Sequence, residues 1–298
     1  MTDDPRRPFG RLLTAMVTPF TADRALDIAG AQRLASYLVD EQANDALVIS
    51  GTTGESPTTS DAEKEMLLRA VVEAVGDRAK VVAGVGTYNT AHTVELARAA
   101  EKAGANGLLV VTPFYNKPPQ AGLLVHFTTV ADATGLPMLV YDIPARTGTA
   151  VHSDTMCRLA RHPRIVGVKD AKGDITATSW VLRRTDLAYY SGEDSATLPI
   201  LSVGGIGVVG TSTHLTGVPT KQMIEAYERC ELDEALRLHR ALLPLYTGIF
   251  RTQGTILVKA AMKLRGLPAG PVRPPLVDAT EEEIAQLRTD CADAGIDL

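Results

Sequence analysis

At 298 residues and 45% hydrophobic content, the chain is long enough for one large α/β barrel or two ordinary domains with a sizeable core. No apolar stretch approaches the roughly 20 residues of a membrane span, and a net charge of −5 without a dense Lys/Arg cluster argues against a nucleic-acid partner. Three scattered cysteines (Cys157, Cys230 and Cys291) offer neither a disulfide framework nor a zinc set. Met1 to Gly10, charged and holding two prolines, lacks the apolar core of a signal peptide, so a cytoplasmic protein is expected.

From Leu12 onward, strand-like and helical runs alternate with short joins. Residues 12–20 read as a strand and 29–41 as a helix; 46–50 is the second strand and leads into Gly51-Thr52-Thr53-Gly54-Glu55-Ser56. The helix at 60–75 opens on a capping serine with Glu63 three places on. Strands follow at 81–85, 107–111, 137–141, 165–168, 187–191 and 206–209. Helices lie between them at 91–103, 122–133, 153–161, 176–184 and 195–201, and the last strand is followed by a helix at 220–229. Eight such units in about 220 residues predict a parallel sheet closed into a (β/α)8 TIM barrel rather than an open doubly wound sheet. After Glu231 no strand follows, and 232–246, 255–264 and 280–294 look helical. A barrel over 1–230 and a helical C-terminal extension over 231–298 are therefore expected.

The run Ile165-Val166-Gly167-Val168-Lys169-Asp170-Ala171 suits a strand buried on both faces, with Lys169 where the strand leaves the core. In water such an amine is neutral about once in 2500 molecules at pH 7; burial raises that fraction, which suits a Schiff-base lysine. A plainer account pairs Lys169 with Asp170 or a neighbouring carboxylate. In a barrel of this type the reactive groups gather at the C-terminal ends of the strands. There the sequence offers Thr52 and Thr53 after strand two, Thr112 to Asn116 with Tyr115 after strand four, and Tyr141 to Gly148 with Arg146 after strand five. Strand seven ends in Ser191-Gly192-Glu193-Asp194. A lysine, two tyrosines, two threonines and an arginine on one rim, without metal-ligand spacing, are a set for carbonyl chemistry that needs no metal or other cofactor. Taken singly, Tyr141 could be a core tyrosine, the threonines a turn and Arg146 a solvated charge. Gly205 to Gly210 matches the dinucleotide pattern GxGxxG, but it precedes the polar stretch Thr211-Ser212-Thr213-His214 and its middle reads as strand eight, so no nucleotide is expected.

The hexapeptide at 51–56, the stretch Tyr141 to Gly148 and the run Val166 to Ala171 resemble the dihydrodipicolinate synthase and N-acetylneuraminate lyase family, and the likeness extends from about Gly10 to the C-terminus. The resemblance implies a Schiff-base aldolase on a (β/α)8 barrel, assembled as a homotetramer of paired dimers. GTTGES, in place of the lyase-like GSTGE, and Arg146 within YDIPARTG side with the synthase branch. That branch condenses pyruvate with L-aspartate 4-semialdehyde to 4-hydroxy-tetrahydrodipicolinate in lysine and diaminopimelate biosynthesis. On this resemblance Lys169 condenses with the ketone of pyruvate, Thr52 and Thr53 hold its carboxylate, and Gly192 and the Val209 backbone line its pocket. Tyr141, Thr53 and Tyr115 form a proton relay, Tyr115 reaching into the neighbouring subunit's site, and Arg146 binds the aldehyde's carboxylate. The alternatives are a relative acting on another 2-oxo acid or sugar acid, and a non-catalytic paralogue.

The chain also departs from the family pattern. Asp142 stands where many relatives have asparagine, and Gly210 to His214 differs from the usual segment after strand eight. Pro57, Asp61, Lys64, Tyr88, His92 and Phe114 occupy the positions of the family's L-lysine feedback site, where sensitive members use a glutamate, histidines, an asparagine and a tyrosine. Weak or absent inhibition by L-lysine is expected, because His92 replaces an ammonium-binding carboxylate and Lys64 repels.

Overall fold

A computed structural model describes residues 6–298; residues 1–5, part of the segment read above for a leader, lie outside the described residues. Eight parallel strands close into a barrel in sequence order. They are β1 (Leu12–Ala15), β2 (Ala46–Ile49), β3 (Lys80–Gly84), β4 (Gly107–Val111), β5 (Met138–Asp142), β6 (Ile165–Asp170), β7 (Ala188–Ser191) and β8 (Gly207–Gly210). The helices of the barrel are α1 (Ile28–Asp40), α2 (Asp61–Val75), α3 (Thr90–Lys102), α4 (Gln120–Asp132), α5 (Pro144–Thr147), α6 (Ser153–Leu159), α7 (Ile175–Leu182), α8 (Thr197–Ser202) and α9 (Thr213–Glu228). Beyond it lie α10 (Leu232–Gly248), α11 (Gly254–Leu264) and α12 (Glu281–Asp293).

The strands read as unbroken apolar runs because both of their faces are covered, yet the two faces differ. Leu13, Val48, Val82, Leu109, Leu139, Tyr141 and Tyr190 fill the barrel interior. Their neighbours Leu47, Val81, Leu108, Val140, Val168 and Tyr189 pack outward in a larger cluster that also takes in Leu245, Ile249, Leu257, Met262 and Leu287 of the C-terminal helices. The C-terminal helices thus share a continuous apolar core with the outside of the barrel. The helix after strand two is capped as its sequence suggests: the Ser60 hydroxyl accepts from Glu63 N, and the Glu63 carboxylate accepts from Ser60 N.

Most boundaries shift by a residue or two, and three differences bear on the site. β1 stops at Ala15, because Val17 N turns from the ladder to His214 Nε2 and Pro19 has no N–H to give. β6 continues through Lys169 to Asp170, paired on one side with Tyr141 and Asp142 and on the other with Tyr190 and Ser191, so Lys169 lies inside the strand and not at its exit. α9 begins at Thr213 rather than Thr220 and carries Pro219 within it. Only Thr211 and Ser212 therefore separate β8 from a helix. The glycine pattern still fails as a nucleotide loop, since Gly207 and Gly210 lie in the strand itself. Among the described residues no helix is long and apolar enough to cross a membrane.

Candidate active site

Alternation along β5 and β6 sorts four polar residues onto two sides of the barrel wall. Asp142 and Asp170 point outward. Asp170 accepts from Lys172 N at 2.9 Å and from Thr178 Oγ1 at 2.6 Å, while Asp142 accepts from Val151 N at 3.2 Å and stands 3.8 Å from Lys172 Nζ. Burial raises Asp142 to about 6, against the pull of Lys172. Tyr141 and Lys169 point inward, with Lys169 Nζ 4.3 Å from the centre of the Tyr141 ring. The plainer account of Lys169 therefore fails: Asp170 is engaged elsewhere, and no carboxylate among the described residues reaches Lys169 at salt-bridge distance.

Lys169 is 5% exposed. Burial lowers it to about 8; Asp194 and Glu193 pull the other way, and Arg146 adds to the lowering. At pH 7 that leaves about one molecule in ten neutral, against about one in 2500 for an unperturbed lysine. Burial also pushes the Tyr141 phenol well above its usual range, opposed by the nearby Arg146 and the Thr52 hydroxyl. Tyr141 is thus a protonated donor at neutral pH, standing over an amine that is neutral an appreciable part of the time.

Above them opens a cavity of about 490 Å³, lined on one side by Gly51, Thr52, Tyr141, Ile143 and Arg146. Arg146 reaches it because the short α5, started by Pro144 and ended by Gly148 in a left-handed conformation, follows β5 at once. Lys169 is not itself among the lining residues; it adjoins the cavity through Tyr141, whose ring centre is 4.3 Å from Nζ. Gly192 donates its N–H to Asp170 O at 2.7 Å, and Val209 is buried in the same interior cluster as Tyr141.

Two members of the expected relay are placed differently from a single-chain reading. Thr52 lines the cavity together with Tyr141, whereas the Thr53 hydroxyl pairs with Thr211 Oγ1 at 3.2 Å. Tyr115 is 92% exposed on left-handed backbone with φ of +72°. Sequence reasoning quoted Glu193 and Asp194 without giving them a task, yet these are the carboxylates whose field Lys169 feels. Asp194 is buried and accepts from Thr211 N and from Ser212 Oγ at 2.8 Å. His214 donates from Nδ1 to Thr211 O and accepts at Nε2 from Val17 N, and burial lowers it to about 4, so it is a neutral strut. The unusual segment after β8 thus ties Asp194, Thr53 and the end of β1 together, and the unusual Asp142 is engaged by Val151 and Lys172. The six positions compared with a feedback site line the cavity's far side, where His92 Nε2 meets Asp61 Oδ2 at 2.7 Å and Lys64 Nζ donates to Thr59 O.

Fold and site together define a (β/α)8 barrel with a buried, weakly basic lysine under its strand-end cavity. More narrowly, the chain belongs to the dihydrodipicolinate synthetase family, whose model it matches over residues 8–294. It is 71% identical over 288 residues to the 4-hydroxy-tetrahydrodipicolinate synthase of Acidothermus cellulolyticus, covering 97% of this chain and 93% of that one. It is 59% identical over 297 residues to 4-hydroxy-tetrahydrodipicolinate synthase 2 of Streptomyces coelicolor, covering 100% and 99%. Among solved structures, the dihydrodipicolinate synthase of Cyanidioschyzon merolae with lysine bound superposes with a TM-score of 0.95 at 40% identity, over 97% of this chain and 99% of that one.

Proposed function

We propose that the protein condenses pyruvate with L-aspartate 4-semialdehyde to give 4-hydroxy-tetrahydrodipicolinate, through a Schiff base on Lys169. The observation that carries this is the unpaired, buried Lys169 beneath Tyr141, its basicity lowered to about 8. The neutral amine adds to the ketone of pyruvate, whose carboxylate is held by the loop bearing Thr52 and Thr53. Loss of water, with a proton supplied through Tyr141, leaves an iminium. The iminium withdraws electrons from the adjacent methyl group, which loses a proton to give an enamine. The enamine carbon attacks the aldehyde, whose oxygen takes a proton, and the semialdehyde's own amino group then adds to the regenerated iminium carbon, closing the ring and expelling the Lys169 amine. Arg146, on the cavity wall, supplies a planar two-pronged partner for the second substrate's carboxylate, which a lysine would match less well.

Tyr115 belongs to this reading only in an assembly. A 92% exposed tyrosine on left-handed backbone is a costly ornament for a lone chain; in a homotetramer of paired dimers it would complete the relay of the neighbouring site. No cofactor enters the scheme, and the cytoplasm is the proposed location. The test is reduction by borohydride in the presence of pyruvate, followed by peptide mass spectrometry, alongside product formation from the two substrates and from pyruvate with sugar aldehydes. The adduct is expected on Lys169 and turnover with aspartate semialdehyde; an adduct on Lys172, or none, overturns the mechanism.

A further inference from the structure

The loop that carries Thr52 and Thr53 begins and ends on backbone that side chains rarely adopt, with φ of +59° at Ser50 and +55° at Glu55. Conformations of this kind persist where the surroundings over-determine them. The surroundings here come from the C-terminal helices. Thr255 Oγ1 on α11 donates to Thr53 O at 3.0 Å. One turn further along the same face, Lys259 Nζ meets Glu55 Oε1 at 2.5 Å, with both side chains 1% exposed. The other Glu55 oxygen accepts from Arg273 N at 2.8 Å, and Lys259 also donates to Pro271 O at 2.9 Å while standing 4.2 Å from the centre of the Phe20 ring. Carboxylate and ammonium are thus enclosed by each other and by backbone from the segment after α11.

For holding a core together, an apolar pair of equal volume would serve as well as a buried ion pair. What a buried ion pair adds in some proteins is conformational specificity, and here the pair anchors the loop whose Thr52 lines the cavity and whose Thr53 carbonyl is held by Thr255. We propose that Glu55 and Lys259 form a positioning pair for the 2-oxo acid's carboxylate, so that the C-terminal extension, through α11, sets the affinity of the barrel's site for pyruvate. This rests on the roles given above to Lys169 and to the Thr52–Thr53 loop. It makes neither Glu55 nor Lys259 a catalytic residue; both act through the backbone of the loop.

The experiment compares wild type with Lys259→Met, with the charge-free double variant Glu55→Gln/Lys259→Met, and with Thr255→Val. Circular dichroism and thermal melting establish which variants fold. The pyruvate concentration that half-saturates borohydride trapping at Lys169 is then measured beside the KM for the aldehyde. The double variant is expected to need about tenfold more pyruvate and Thr255→Val about threefold more, as for loss of one well-placed hydrogen bond or less. The aldehyde KM, governed by Arg146, should stay within about twofold of wild type. If Lys259→Met fails to fold because Glu55 is left buried alone, the other two variants decide. A folded double variant with the wild-type pyruvate requirement, or one in which both substrates weaken equally, overturns the inference. Wild type that traps no pyruvate removes the function it rests on instead, and the two failures are distinct.

Discussion

Replacing Lys169 by methionine should abolish adduct formation and at the same time stabilise the protein at neutral pH. The buried amine is lowered from 10.5 to about 8, and at about 1.36 kcal/mol per pH unit this amounts to roughly 3 kcal/mol of folding free energy forgone at pH 7. Lys169 is only 5% exposed, so solvent screening reduces the figure little. Methionine is an unbranched side chain one atom shorter than lysine and carries no charge. Part of the gain is offset, because Glu193 and Asp194, both already raised by burial, lose a cation that steadies their charged forms. A net stabilisation of about 1–3 kcal/mol is therefore expected. Its pH dependence follows from linkage. Above about 10.5 the lysine is neutral whether the chain is folded or not. As the pH falls towards about 8, the unfolded chain takes up a proton that the folded one refuses, and wild-type stability declines; below about 8 the loss is complete and constant. Urea denaturation of both proteins should show the variant ahead at pH 7 and the gap closing as the pH approaches 10.5. Equal or lower stability of the variant at pH 7, or a gap that ignores pH, would refute the account of a dehydrated amine at this position.

The remaining expectations concern substrate, assembly and regulation. Arg146→Lys should raise the KM for the aldehyde by about 10- to 100-fold, the size of a lost charge-assisted hydrogen bond, while leaving pyruvate trapping at Lys169 unchanged; a weakened adduct instead would place the arginine on the wrong substrate. Tyr115→Phe should lower turnover more than pyruvate binding, and steady-state rates equal to wild type would remove the hydroxyl from the relay. L-lysine at sub-millimolar concentration should leave the rate unaffected, because an incoming ammonium would meet half-buried Lys64 while Asp61 is already engaged by His92; strong inhibition in a steady-state assay would contradict this.

The barrel was legible because its physics is local: each strand is an apolar run short enough to read, each helix begins and ends with recognisable chemistry, and their alternation admits few topologies. Lys169, Tyr141 and Arg146 were legible for the same reason, lying just past apolar runs whose ends the chain itself marks. What could not be read is which way neighbours face. Tyr141 and Asp142 are adjacent, as are Lys169 and Asp170, and parity alone does not say which of each pair enters the barrel, particularly with a shift of register between Met138 and Leu139. The consequence is large, since one choice pairs the lysine with an acid and makes it inert, and the other leaves it alone under a tyrosine. The same limit hid the work of Glu193 and Asp194. It hid still more completely the props of the Thr52–Thr53 loop, whose contact from Thr255 to Thr53 joins residues 202 positions apart. A glutamate inside GTTGES looks like one more polar loop residue until a lysine from α11 is found against it. Left-handed backbone at Ser50 and Glu55, a dehydrated ammonium at Lys169 and a buried ion pair at Glu55–Lys259 depart from plain apolar packing, and each lies in the cavity's lining or next to a residue of it (Ser50 itself, Ser56 after Glu55, Tyr141 against Lys169), whereas the apolar packing is spread over the whole barrel. That concentration is what separates the group of residues held for chemistry from the many held for packing, and it becomes visible only when contacts between distant parts of the chain are known.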